Sequence, residues 1–226
     1  MSTSALTSPV VVDGVVSDEK LSELLALQTE YPELDFKRTI DLSTTRDVVE
    51  LAKDIGAMQV RGGYIVIGVD QVGAPTSELD GADTRIFDEA RLTPKMLQYL
   101  PAPLVLRTRV AERAEHTVVL IHIGLHPGGC AIFTSIGQYR DGNRRDVVVF
   151  REGEVFWRDG TRSVRMSQAG LEAVIKRRIT DAKMRGSRSS ARSAVRSAAS
   201  CRPPTKGAGS PRDHSAPSTS TWRRAS

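Results

Sequence analysis

The chain has 226 residues, of which 39% are hydrophobic, a share low enough that part of the chain is expected to lie outside a folded core. Residues 181–226 contain ten Lys or Arg and two Asp, whereas residues 1–180 contain 22 Lys or Arg and 25 Asp or Glu. The basic pI is therefore caused by the tail. It does not by itself indicate that the folded body binds nucleic acid. The two cysteines lie far apart in the sequence, which excludes a disulfide framework or a set of zinc ligands. The sequence has no apolar run of about 18 residues and no signal peptide. We therefore expect a cytoplasmic protein without a membrane partner.

The first expected element is a short amphipathic helix that follows a flexible N-terminus at residues 1–16. Ser17 is a suitable helix cap, and leucines on one face continue the helical pattern to about Gln28. This helix opens the domain that we expect over residues 17–180.

The next segment, Leu34–Lys37, alternates apolar and charged residues and is predicted to be a strand. The alternation places Glu33, Asp35 and Lys37 together on the face opposite Leu34 and Phe36. A solvated strand face with a neighbouring ion pair is the simpler interpretation of this charge cluster, and a functional cluster is the alternative.

A helix that begins after Thr44 and runs to Met58 is predicted from apolar residues at helical spacing. Gly62 and Gly63 then end it, and a buried strand is expected over residues 64–69. The glycine pair permits two interpretations, a simple helix stop with strand entry or a loop whose amides approach a phosphate. The chain has no Walker Gly-Lys-Thr sequence, so the usual phosphate loop is excluded.

The second half is predicted to contain two short helices and then mainly strands. The first helix is expected over Asp83–Leu92, and Thr93-Pro94 is expected to begin the second, since proline suits the first turn. The predicted strands are Leu104–Val110, Thr117–Ile123, Ala131–Phe133, Val147–Phe150 and Val155–Trp157.

Three Arg-acid-Gly turns occur between these strands, and acid-glycine pairs suit hairpins. Arg158, Arg162 and Arg165 lie close together beside Trp157, which favours an edge that faces phosphates. A last helix follows Ser167. Residues 181–226 contain almost no large apolar side chains, so they are predicted to be a disordered basic tail.

Taken together, these segments resemble the Schlafen/AlbA-type domain, which is also described as a divergent AAA or DNA-binding domain. The resemblance covers roughly residues 21–180. It depends on the order and spacing of Glu30, Leu34–Lys37, Leu51–Met58, Gly62–Asp70, Phe156–Ser163 and Ser167. It implies an α+β fold, in which a small mixed β-sheet is flanked by helices, and it implies nucleic-acid binding.

In the Schlafen branch the resemblance further implies a metal-dependent RNase centre of three acids. By motif position these would be Glu30, Asp35 and Asp70, with Lys37 as the adjacent cation. Such carboxylates could hold Mg²⁺ or Mn²⁺, which activates water and neutralises phosphate charge. Asp35 stands where the family usually has glutamate, so this carboxylate reaches less far.

Four hypotheses about function follow. The first is a protein that binds RNA or DNA and contacts phosphates through Arg61, Arg158, Arg162 and Arg165. A regulatory role is one form of this hypothesis. The second is the metal-dependent nuclease. The third is an interaction module for a protein partner or a second copy of the chain, and the fourth is an ATP-binding switch at Gly62-Gly63.

Overall fold

The computed structural model describes residues 8–142 and 145–180. In this part of the chain the helices are α1 (Asp18–Leu25), α2 (Thr45–Met58), α3 (Glu89–Met96) and α4 (168–180). The strands are β1 (Leu34–Lys37), β2 (Gly63–Ile67), β3 (Leu106–Arg113), β4 (His116–Ile123), β5 (Gly137–Arg140), β6 (Asp146–Phe150), β7 (Phe156–Asp159) and β8 (Arg162–Arg165). The predicted tail lies outside the described residues. No helix in the described ranges is long and apolar enough to cross a bilayer.

The central sheet is mixed, in the order β1-β2-β4-β3, with β1 and β2 parallel and the other pairs antiparallel. Two hairpins, β5-β6 and β7-β8, form separate small sheets. The predicted α+β class, with a small mixed sheet flanked by helices, is therefore confirmed.

The inner strand β2 is buried along its whole length, and its successive side chains point to opposite faces of the central sheet. In β2, Ile65 and Ile67 face the larger core under α2 and α3, whereas Tyr64 and Val66 face the core under α1. A strand buried on both faces reads as a continuous apolar run, as the sequence of β2 does.

Several predicted elements differ in the structure. The Ala131–Phe133 strand is absent: the segment is buried at Phe133 but forms no ladder. Thr93-Pro94 does not begin a helix, because α3 already starts at Glu89, where the Asp88 side chain accepts a hydrogen bond from the Ala90 amide. Pro94 thus lies inside α3.

The end of the predicted flexible N-terminus, residues 10–14, instead packs on the sheet; we call it the N-terminal strap. Val10 is buried in the core under α1. The Tyr64 hydroxyl donates to Asp13 Oδ1 at 2.7 Å, and Lys20 Nζ lies 3.1 Å from Asp13 Oδ2. His122 is buried beside Tyr64.

Acid should loosen the N-terminal strap. Partial burial pushes the pKa of Asp13 up, but the hydrogen bond from Tyr64, together with Val15 and Lys20, lowers it from 3.8 to about 2. A depressed folded-state pKa stabilises the protein above pH 3.8, and that contribution is lost as pH falls towards about 2. We expect the urea midpoint of wild type to exceed that of Asp13→Asn above this window and to converge with it below; parallel curves would contradict the assignment.

Candidate functional site

A network of buried charges joins β1 to α2 and to the β7-β8 hairpin. Asp35 Oδ1 accepts a hydrogen bond from Arg158 Nη2 at 3.0 Å, and Asp35 Oδ2 lies 2.8 Å from Lys37 Nζ. Lys37 Nζ also lies 2.7 Å from Asp54 Oδ2, while Ser163 Oγ donates to Asp54 Oδ1 at 2.8 Å. We call these five residues the β1 network.

Local structure explains why these side chains meet. In β1 the even positions Leu34 and Phe36 are buried in the core under α1, so Asp35 and Lys37 point to the opposite face, towards α2. Asp54 lies on the buried side of α2, and α2 contacts both strands of the β7-β8 hairpin. The arginine side chain of Arg158 then closes the network from the hairpin.

The opposite charges in the β1 network stabilise one another's ionised forms. Burial disfavours the charged form of Lys37, but the attraction of Asp54 and Asp35 outweighs it and raises the lysine pKa. Burial likewise works against the Asp54 carboxylate, but Lys37 and Lys53 outweigh it and lower the carboxyl pKa. Lys37 and Asp54 are therefore ionised together across the neutral pH range.

The structure brings two of the three predicted metal ligands close together. Glu30 lies near enough to Asp35 for that carboxylate to affect its pKa, which is raised chiefly by burial. Glu30 Oε1 accepts a hydrogen bond from the Phe36 amide at 2.9 Å. Asp70 instead belongs to a loop, where its Oδ1 accepts hydrogen bonds from the amides of Val72 and Ala74 at 3.0 and 2.9 Å.

The predicted set of Glu30, Asp35 and Asp70 therefore does not fit Mg²⁺ or Mn²⁺. Among residues 8–142 and 145–180, no three His, Cys, Asp or Glu side chains are grouped so that they could hold a metal ion. The physical reason is that Asp35 already has two cationic partners, Lys37 and Arg158, and Asp70 is committed to its own turn.

The backbone at Gly62 and Gly63 lies close to other parts of the protein. Both glycines are buried. A Cβ on Gly63 would lie 2.8 Å from the carbonyl oxygen of Glu33, and one on Gly62, at φ +78°, would lie 3.0 Å from Val12. The pair thus ends α2 and admits β2 beside β1, which is the structural alternative that the sequence left open.

The four predicted phosphate-binding arginines have different environments. Arg158 is only 3% exposed and is committed to Asp35, so its predicted role as a phosphate contact is corrected to an internal ion pair. Arg61 and Arg165 are exposed and lie 3.5 and 3.2 Å from Glu33 and Glu154. Arg162 is exposed on β8.

A second group of cations, which we call the basic end, includes only one of the predicted site residues, Arg61. It comprises Arg61 and the last part of α4, Lys176, Arg177 and Arg178. Arg177 Nη2 donates to the carbonyl of Val60 at 3.4 Å, which brings the end of α4 to the turn that carries Arg61. Within the described ranges, none of the three α4 cations forms a salt bridge.

Sequence signals existed for the members of both groups that were missed. Asp54 lies three residues after Leu51, a core-facing position of α2, and an acid at such a position calls for a buried partner. The run Lys176-Arg177-Arg178 is visible in the sequence but equally suits the dipole at a helix C-terminus. Only the contact with Val60 brings it beside Arg61.

Comparisons with known proteins give little further information. No family model matches the chain, and no curated protein matches it. Among solved structures it is similar to the DIP2311 protein from Corynebacterium diphtheriae, with a TM-score of 0.43 and 14% identity over 66% of this chain. The chain spans about a quarter of that protein, 26% of its length. A similarity at this level carries no argument about function.

Proposed function

We propose that this protein binds nucleic acid through its phosphate backbone, and that the basic end forms the contact on the folded body. The observation that carries the proposal is a run of three cations on α4: Lys176, Arg177 and Arg178 form no salt bridge among the described residues, although the body as a whole has more acids than bases. Unpaired cations are the groups that release counterions when they meet phosphates.

The position of the basic end in the chain supports the same proposal. Helix α4 leads directly into residues 181–226, which contain ten Lys or Arg and two Asp. Folded and tail cations therefore follow one another along the chain, and together they would track a phosphate backbone without reading bases. The resemblance to Schlafen/AlbA-type domains agrees with this function, and the lack of a disulfide framework agrees with a cytoplasmic location.

The β1 network has a supporting role in this proposal. Arg158 and Ser163 belong to the hairpin that immediately precedes α4, and their bonds to Asp35 and Asp54 attach that hairpin to the core. The network thereby holds the start of α4 in place, while Arg162 and Arg165 stay exposed on the same hairpin.

The test is binding of the full chain to a labelled DNA duplex and a labelled RNA hairpin, followed by fluorescence anisotropy across a salt series. We expect Lys176→Gln/Arg177→Gln/Arg178→Gln to weaken binding to both by about tenfold or more and to reduce the slope of log K against log salt by about 2 to 3. The reason is that each phosphate contact contributes its own counterion release.

A matched control removes the same charge elsewhere. Arg38, Arg140 and Arg151 are exposed, and the first two pair with Glu78 and Asp146. The triple glutamine variant at these positions should bind nearly as wild type does. Equal losses in the two triple variants would show that only net charge matters, and salt-insensitive binding would reject the proposal.

A further inference from the structure

The outer edge of β3 presents unpaired backbone groups. Within the central sheet β3 pairs with β4 alone. The Thr108 amide points away from β4, because it donates to Glu89 Oε1 of α3 at 2.9 Å. Backbone direction alternates along a strand, so the N–H and C=O groups of Val110 and Glu112 point outward as well. Among the described residues the Glu112 carbonyl accepts a hydrogen bond from Arg113 Nη1 at 2.7 Å, whereas the outward N–H and C=O of Val110 have no hydrogen-bond partner.

A cleft of about 410 Å³ runs beside this edge, between β3 and the segment that leads into α3. Thr108 and Val110 line it from the strand, and Val110 is 46% exposed. The charged side chains that line it are Arg85, Asp88, Arg91 and Arg109. The lining therefore has three cations and one acid.

These arginines keep donors available for a ligand. Arg85 uses Nε and Nη2 to bind Asp83, and Arg109 uses the same two atoms to bind Asp18. Each leaves its Nη1 group without a hydrogen bond to the described residues. Arg91 forms no salt bridge in residues 8–142 and 145–180, so its whole guanidinium is available.

From this edge and this cleft we infer that β3 binds an extended acidic peptide segment of a partner protein, which adds as a fifth strand to the central sheet. The open edge supplies hydrogen bonds that only another peptide backbone matches, and the arginines select acidic side chains. The Glu89 carboxylate accepts the hydrogen bond from the Thr108 amide that a backbone carbonyl of the bound peptide would accept. It is displaced when the peptide binds.

The charges of β3 disfavour the alternative in which two copies pair edge to edge. The strand contains Arg107, Arg109, Arg113 and a single acid, Glu112. Two such edges would bring like charges together, which destabilises cross-strand pairs. Nucleic acid is disfavoured by different chemistry, since its backbone has no alternating donors and acceptors to pair with a strand edge.

The test uses a labelled peptide of alternating valine and glutamate, eight residues long to match β3, and a lysine version of it. Val110→Pro removes an outward N–H but no bond between β3 and β4, which is the setting in which proline is tolerated in a strand. Val110→Ala is the matched control, because it shortens the side chain and keeps the N–H. Arg91→Glu tests the charge separately, on an exposed position of α3.

For the glutamate peptide we expect Val110→Pro and Arg91→Glu to weaken binding by about tenfold or more and Val110→Ala by less than about threefold. The lysine peptide should bind weakly to every variant. Its affinity should not exceed the affinity of the glutamate peptide for Val110→Pro. Equal binding of both peptides would overturn the inference. So would displacement of the glutamate peptide by duplex DNA in wild type, or self-association of wild type that Val110→Pro abolishes.

Discussion

Replacement of Arg158 by methionine is expected to lower the free energy of unfolding by about 3 to 5 kcal/mol, the usual cost of removing one partner from a buried ion pair. Asp35 is 7% exposed, so it would lose its hydrogen bond from Arg158 without gaining water in exchange. Lys37, which also pairs with Asp54, would then be the remaining cationic partner of Asp35. Urea unfolding of the purified variant measures the loss.

Two companion variants separate this cause from others. Arg162→Met makes the same change four positions along, on an exposed side chain, and should change stability by no more than about 0.5 kcal/mol. Adding Asp35→Leu to Arg158→Met should recover part of the loss, because it removes the carboxylate left unpaired. Similar costs for Arg158→Met and Arg162→Met would show that the β1 network does not stabilise the fold.

Phe133→Ala is expected to cost about 3 to 5 kcal/mol, the range for deleting a buried aromatic side chain. Phe133 is 1% exposed and stacks on Phe150 with ring centroids 3.8 Å apart, and Phe156 meets it edge-on at 5.7 Å. The ring also fills the space over Gly56 of α2. One side chain thus connects both hairpins to α2, so its loss should loosen both.

The neighbouring residue provides the control. Ile132 is 52% exposed, so Ile132→Ala deletes apolar volume from the same segment with an expected cost below about 1 kcal/mol. Thermal unfolding monitored by circular dichroism compares the two variants. A loss at Ile132 as large as that at Phe133 would mean that the segment, and not the aromatic cluster, holds the hairpins.

The sequence predicted half of the β1 network. Alternation in β1 correctly placed Asp35 and Lys37 on one face, because side-chain direction in a strand depends only on position. Asp54 and Arg158 were not assigned to that face, because their meeting depends on how α2 and a hairpin more than 100 residues later pack against β1. Asp70 was grouped with Asp35 by motif order, whereas the turn at Val72 and Ala74 satisfies its carboxylate locally.

The sequence by itself determined the elements whose causes are local: the cap and apolar face of α2, the two-sided apolar run of β2, and the division of charge between body and tail. Tertiary structure alone decided which charges are internal and which are available. Arg158 and Arg162 lie on the same β7-β8 hairpin, yet one is buried against Asp35 and the other is exposed. The physical reason is that the desolvation of a charge and its pairing depend on partners brought together by packing, and such partners are distant in the chain.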